Sequence, residues 1–201
     1  MPKPHQSKTD QGDILIVDDE TANLKLLKEL LNLEGYQVRP TDHPQLAIDS
    51  ALAQPPALIL LDVKMPEMDG YEVCKRLKQD DRTCYIPIIF ISALQDVQDK
   101  VKGFEAGGVD FISKPFQEQE VLARVRTHME LRNMQLNLAE LVDKRTDELA
   151  RSEAKYRGLV VNSLVGVFTT TIDGRFTFVN DAMARMFDFD TPEQMIARGS
   201  L

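Results

Sequence analysis
The sequence predicts an α/β fold: a doubly wound parallel sheet of five strands, continued by a long coiled-coil helix and a partial α+β segment. Three patterns carry that expectation. Short apolar runs alternate with segments of helical periodicity from Asp13 to about residue 128, and strand–helix alternation implies parallel βαβ crossovers. The runs are almost unbroken in apolar character, as strands buried on both faces require. Glycine and proline are absent from Glu118 to Arg157, a span well beyond an ordinary globular helix.

Each element follows from its own residues. Residues 1–11 are polar, contain two prolines and read as a disordered tail. Asp13-Ile14-Leu15-Ile16-Val17 forms the first strand and ends in Asp18-Asp19-Glu20. Thr21-Ala22-Asn23 opens a helix with Leu24, Leu27 and Leu31 at helical spacing, and Leu26, Leu30 and Leu33 widen its apolar face. Gly35 stands where a helix C-terminus favours glycine. Tyr36-Gln37-Val38-Arg39 is a brief strand near an edge, and Pro44 to Ala53 is a helix with Leu46, Ile48 and Leu52 apolar, stopped by Pro55-Pro56. The run Ala57–Leu61 ends at Asp62 and a Met65-Pro66-Glu67-Met68-Asp69-Gly70 loop. Tyr71, Val73, Cys74 and Leu77 mark a helix ending near Asp80-Asp81. Ile86–Ile91 is a strand closing with Ser92-Ala93. A weaker helix over 95–106 places Val97, Val101 and Phe104 on one side and stops at Gly107-Gly108. Val109–Ser113 is the last strand and closes with Lys114-Pro115-Phe116. The flavodoxin-like strand order 2-1-3-4-5 is the natural arrangement.

The net charge of −8 over 201 residues makes a direct nucleic-acid partner unexpected, because phosphate binding wants a basic face. Cys74 and Cys84, with no secretion signal after Met1, read as reduced thiols of a cytoplasmic protein. No apolar stretch reaches the roughly 18 residues of a membrane helix, so no membrane partner is expected.

The strand ends carry the chemistry. Asp18, Asp19, Asp62, Ser92 and Lys114 each follow an apolar run, and open α/β sheets bind ligands at the carboxyl ends of their strands. Three crowded carboxylates raise one another's pKa, and a hard divalent cation such as Mg²⁺, which prefers oxygen ligands, relieves the repulsion. Lys114 supplies a positive charge and Ser92 a hydroxyl donor. A carboxylate nucleophile beside anion-accepting groups suggests phosphoryl transfer to Asp62. No glycine-rich nucleotide cradle is present, so the phosphoryl group is expected from another molecule.

Residues 12 to about 128 resemble the receiver domain of two-component response regulators through Val17-Asp18-Asp19-Glu20, Leu61-Asp62-Val63-Lys64-Met65-Pro66-Glu67-Met68-Asp69-Gly70, Ser92-Ala93 and Lys114-Pro115-Phe116. The resemblance implies that Asp62 accepts phosphate from a sensor histidine kinase or phosphotransfer protein. It implies direct Mg²⁺ contact by Asp19 and Asp62, a partly water-mediated one by Asp18, and a contribution from the Lys64 backbone carbonyl. It further implies that Ser92 turns toward the phosphoryl oxygens, that Lys114 pairs with Asp62 or its phosphate, and that the Lys114–Pro115 bond is cis. The aromatic switch position falls on Phe111, where many members carry tyrosine; plain core packing is the alternative reading. The Lys64 side chain, two residues past Asp62, is expected to screen the aspartyl phosphate and alter its lifetime.

From Glu118 to about Arg157 the helix would run roughly 60 Å at 1.5 Å per residue. Leu131, Leu138, Arg145 and Ser152 recur every seventh residue, with Gln135, Val142, Leu149 and Tyr156 between them, the seam of a parallel homodimer. A second register pairs the first set with Met134, Leu141 and Glu148, and Arg145 makes both seams polar. The two readings are a weak coiled coil and a two-register switch. Asp143-Lys144-Arg145-Thr146-Asp147-Glu148-Leu149 resembles signalling helices that join sensors to output modules. His128 lacks the glutamate and proline context of a kinase phosphoacceptor, and His5 and His43 read as exposed.

After Tyr156, Gly166–Ile172 and Arg175–Asn180 flank Asp173-Gly174, a two-residue hairpin signal. Ala182–Phe187 is a short helix, and Thr191-Pro192-Glu193-Gln194 starts another with a capping box. The segment resembles the opening of a PAS domain, with less than half of the unit present and five phenylalanines (168, 176, 178, 187 and 189) lacking a complete core. The expected organisation is a tail (1–11), a receiver domain (12–128), a signalling helix (129–157) and an incomplete PAS segment (158–201). The expected role is a non-enzymatic phosphoacceptor that relays its state through a dimeric helix. The alternative is the front of a hybrid histidine kinase or cyclic-dinucleotide enzyme whose catalytic domain lies elsewhere.

Overall fold
The computed structural model describes residues 12–93 and 97–199; the expected tail lies outside the described residues. The chain divides into two units, residues 1–136 and 137–201.

In the first unit, β1 (Asp13–Val17), β2 (Gln37–Thr41), β3 (Leu58–Asp62), β4 (Ile88–Ser92) and β5 (Asp110–Ser113) form one parallel sheet in the order β2-β1-β3-β4-β5. The helices between them are α1 (Thr21–Leu33), α2 (Pro44–Ala53), α3 (Gly70–Gln79) and α4 (Val97–Glu105), with α5 (Glu118–Val161) following β5. Successive strand residues face opposite sides of a sheet, which accounts for the unbroken apolar runs. Ile14, Ile16, Leu58, Leu60, Ile89 and Ile91 meet Leu27 and Leu31 of α1 and Val121, Val125 and Met129 of α5. Leu15, Val17, Ile59, Leu61, Ile88 and Phe90 face Ala47 and Ile48 of α2, Val73 and Leu77 of α3, and Phe111. The central strands β3 and β4 are buried along their whole length.

Several helical faces differ from the expectation. Val101 and Phe104 of α4 are 48% and 53% exposed, and the buried positions at that end are Gly103 and Ala106. The reason is space: a Cβ at Gly103 would overlap the Phe111 ring, so the close side of α4 admits only a small residue. Leu26 and Leu33 of α1 and Leu46 of α2 are likewise exposed. β4 begins after Pro87, and β2 extends through Pro40 to Thr41, as an edge strand tolerates.

Helix α5 is 44 residues long, roughly 66 Å at 1.5 Å per residue, and ends four residues beyond the expected Arg157. Leu131, Met134, Leu138, Leu141, Val142 and Leu149 are all exposed on it. No helix among the described residues is long and apolar enough to cross a membrane.

In the second unit, β6 (Phe168–Thr170) and β7 (Phe176–Val179) pair antiparallel, followed by α6 (Asp181–Met186) and α7 (Pro192–Arg198). The connection is not a two-residue Asp-Gly turn. The Thr171 amide bonds the Arg175 carbonyl and Gly174 takes φ +84°, making Ile172-Asp173-Gly174 a three-residue loop with glycine in the left-handed position. Phe176, Val179, Met183, Ala184 and Met195 form a small core. Phe168 and Phe187 stay exposed. Buried Asn180 fastens the unit: its Nδ2 donates to the Val160 and Val165 carbonyls, and its Oδ1 accepts from the Val167 and Met183 amides. Thr191 caps α7 by accepting from the Gln194 amide, while the Gln194 side chain returns to the Asp190 amide.

Candidate acidic site at the sheet edge
β1 delivers Asp18, which is fully buried. Its Oδ1 accepts from the Glu20 amide at 2.9 Å and from Asn23 Nδ2 at 3.0 Å. These bonds fix the carboxylate against the first turn of α1 and leave the neighbouring Asp19 exposed. Asn23 belongs to the site through these bonds to Asp18, although in sequence it marks only the start of a helix.

β3 delivers Asp62, 3% exposed. Its Oδ1 accepts from the Lys64 amide at 3.3 Å and its Oδ2 from Lys114 Nζ at 2.8 Å. The loop after it is built for close approach. The Gly70 amide donates to the Val63 carbonyl at 2.9 Å, and a Cβ on Gly70 would overlap the Asp62 carbonyl oxygen. Glu67 takes φ +68°, with the Met68 amide bonded to the Pro66 carbonyl at 2.7 Å, an i→i+2 closure of the γ-turn kind. Asp69 then caps α3 by accepting from the Glu72 amide.

β4 brings buried Ser92 to the same edge, and its carbonyl accepts from the Lys114 amide at 2.8 Å. The Lys114–Pro115 bond is cis. Lys114 Nζ lies 2.8 Å from Asp62 Oδ2 and 2.9 Å from Asp18 Oδ2, so the amine bridges two strands rather than pairing with Asp62 alone. Burial raises the Asp62 pKa; the Lys114 hydrogen bond opposes that rise and the Asp18 charge adds to it. For Lys114, burial disfavours the charge, but its bonds to Asp62 and Asp18 outweigh burial and hold the amine above the ordinary lysine value.

Asp18, Asp19 and Asp62 each place one carboxylate oxygen within 4.8 Å of the others. This all-oxygen set, with one exposed member, suits a hard cation such as Mg²⁺ that retains waters. Two clefts flank the cluster. One, of about 480 Å³, is lined by Asp19, Lys64, Met65, Pro66, Asp69 and Tyr71. The other, of about 470 Å³, is lined by Glu20, Asn23, Leu26, Lys114, Pro115 and Phe116.

Phe111 is buried, stacked on Phe90 with centroids 5.2 Å apart, and meets the exposed Phe104 edge-on at 5.3 Å. At the opposite end of β5, Asp110 holds α5 through Arg124 Nη1 at 2.6 Å and His128 Nε2 at 3.1 Å. His128 thus has a local partner on β5. His43 is exposed, and His5 lies outside the described residues.

A sheet of this order with an acid cluster, a serine and a lysine at its carboxyl edge defines a receiver. Residues 14–126 match the response regulator receiver domain family and residues 154–200 match a PAS domain. The first match spans more than half of the 201 residues, and the chain belongs to the response regulator receiver family. It is 39% identical over 168 residues to the response regulator PleD of Caulobacter vibrioides, covering 84% of this chain and 35% of that protein. Over 119 residues it is 42% identical to the DNA-binding dual master transcriptional regulator RpaA of Synechocystis sp., covering 56% of this chain and 47% of that one. The chain therefore spans less than half the length of either relative. The crystal structure of the signal receiver domain of a signal transduction histidine kinase from Syntrophus aciditrophicus aligns with a TM-score of 0.56 at 36% identity, covering 59% of this chain and 90% of that one.

Proposed function
We propose that Asp62 accepts a phosphoryl group from the phosphohistidine of a sensor histidine kinase or phosphotransfer protein. The observation that carries this reading is the shared cation: Lys114 Nζ contacts both Asp62 and Asp18 at the sheet edge, with Asp19 exposed beside them. In the transfer, an Asp62 carboxylate oxygen forms the new O–P bond as the donor's N–P bond breaks. The electron pair leaves on the imidazole nitrogen, which gains a proton from water. Lys114 follows the charge from the carboxylate to the phosphoryl oxygens, and the Ser92 hydroxyl donates to one of them. Asp19 and Asp62, with Asp18 partly through water and the Lys64 carbonyl, would hold Mg²⁺, which supplies charge neutralisation to the transferred group. Phe111 reports the change by moving outward from its stack. The exposed Lys64 side chain tunes the phosphate lifetime, and an unchanged lifetime in Lys64→Asn would remove that role.

The exposed apolar residues of α5 support relay through a parallel homodimer over 118–157 toward the PAS region. The activity at the far end of the relay, whether kinase, cyclic-dinucleotide enzyme or another output, belongs to the whole protein. Acetyl phosphate with Mg²⁺ is expected to add one phosphoryl mass to the wild-type chain and none to Asp62→Asn. Equal labelling of both would overturn the assignment.

A further inference from the structure
Phe111 has no polar atom on its ring, yet one side-chain hydroxyl does tie the acceptor side of the domain to α4. It belongs to Tyr71, the second residue of α3. Its Oη donates to the Asp99 carbonyl at 2.9 Å, in the first turn of α4. Its ring packs edge-on against Phe90 with centroids 5.3 Å apart, and Phe90 is the residue on which Phe111 stacks. On the chain side, Tyr71 follows Gly70 directly. The Gly70 amide is bonded to the Val63 carbonyl, and a Cβ on Gly70 would overlap the Asp62 carbonyl oxygen. Tyr71 also lines the cleft that contains Asp19, Lys64 and Asp69. One side chain therefore touches α4, the aromatic stack under Phe111 and the cleft beside the acid cluster, and its backbone is fixed to the Asp62 loop.

We propose that Tyr71 is a positioning residue for the phosphoryl-accepting site, acting through α4: its hydroxyl bond to Asp99 belongs to the unphosphorylated arrangement and opposes the phosphorylated one. This rests on the reading of Asp62 as acceptor. The magnitude suits a switch. A neutral hydrogen bond contributes enough to change a two-state population by roughly fivefold, and minor conformations commonly lie within a few such factors of the ground state. By linkage, a change that favours the second state lowers the apparent dissociation constant of any ligand selective for it.

The test is a beryllofluoride titration in the presence of Mg²⁺, using the full chain and reading amide hydrogen exchange in α4, with wild type, Tyr71→Phe and Tyr85→Phe compared. Tyr71→Phe keeps the ring and loses only the hydroxyl; Tyr85 is exposed and serves as the control. Tyr71→Phe is expected to lower the beryllofluoride midpoint about fivefold and to speed exchange at the start of α4 before any addition. Tyr85→Phe should match wild type. A wild-type midpoint in Tyr71→Phe, with or without a lower melting temperature, would reduce Tyr71 to packing and overturn the proposal. Should wild type fail to respond to beryllofluoride, the acceptor reading falls, and this inference with it.

Discussion
Residues at the sheet edge act through what they are buried beside. Lys114 faces two carboxylates, and Asp62 keeps its place because Gly70 leaves room above its carbonyl. The same logic separates the two cysteines. Burial pushes the Cys74 thiol up to about 11, and its sulfur lies 3.2 Å from the Ala106 carbonyl, whereas Cys84 is exposed. A thiol reagent at pH 8 is expected to modify one cysteine rapidly in the folded protein and none in Cys84→Ser; two fast thiols would contradict that burial. Asp110 supplies the pH-dependent case. Burial would raise its pKa, but Arg124, the Phe111 amide and His128 together bring it below the ordinary value. A depressed carboxylate contributes stability that is full above the unfolded pKa near 4 and is lost as pH falls through the lower folded value. Asp110→Asn should therefore cost up to about 1 kcal/mol at pH 7, discounted for partial solvent exposure. The gap to wild type should narrow as pH falls below 4, measured by urea unfolding. The acid cluster, Ser92 and Lys114 were legible in the sequence because each follows an apolar strand. Asn23 and the Asp110–Arg124–His128 contacts were not, since a hydrogen bond between side chains leaves no periodicity to read.

Elements show where apolar periodicity misleads. The spacing of Val97, Val101 and Phe104 places apolar residues along one side of α4, yet Val101 and Phe104 are exposed, and glycine sets the approach of the helix. Gly103 leaves room for the Phe111 ring and Gly108 for Phe90, so two small residues accommodate the aromatic stack. Gly103→Ala should force Phe111 from its pocket and destabilise the first unit by about 1–3 kcal/mol, the usual range for overpacking. Equal stability, with the Phe90–Phe111 stack unchanged by NMR, would show that α4 yields instead. Asp-Gly marked the hairpin correctly, but the number of loop residues depends on which backbone groups pair, and Thr171 with Arg175 chose three.

The whole molecule joins a receiver sheet to a helix that carries exposed apolar residues. Sequence periodicity announced that helix and its apolar residues, and strand–helix alternation implied a parallel sheet, whereas its order 2-1-3-4-5 came only by analogy with flavodoxin-like sheets. The partner of the seam is a matter of association, which a single chain does not encode locally. Light scattering after size exclusion is expected to give a dimer, and beryllofluoride with Mg²⁺ should change its elution in wild type but not in Asp62→Ala; a monomer in every condition would remove the dimeric relay. All of this depends on where phosphate goes. The most direct measurement is borohydride reduction of the chain after acetyl phosphate treatment, followed by peptide mass spectrometry, because reduction of an aspartyl phosphate leaves homoserine at the acceptor. Homoserine is expected at position 62 and at no other aspartate. Homoserine at Asp18 or Asp19, or at none of the three, would contradict it.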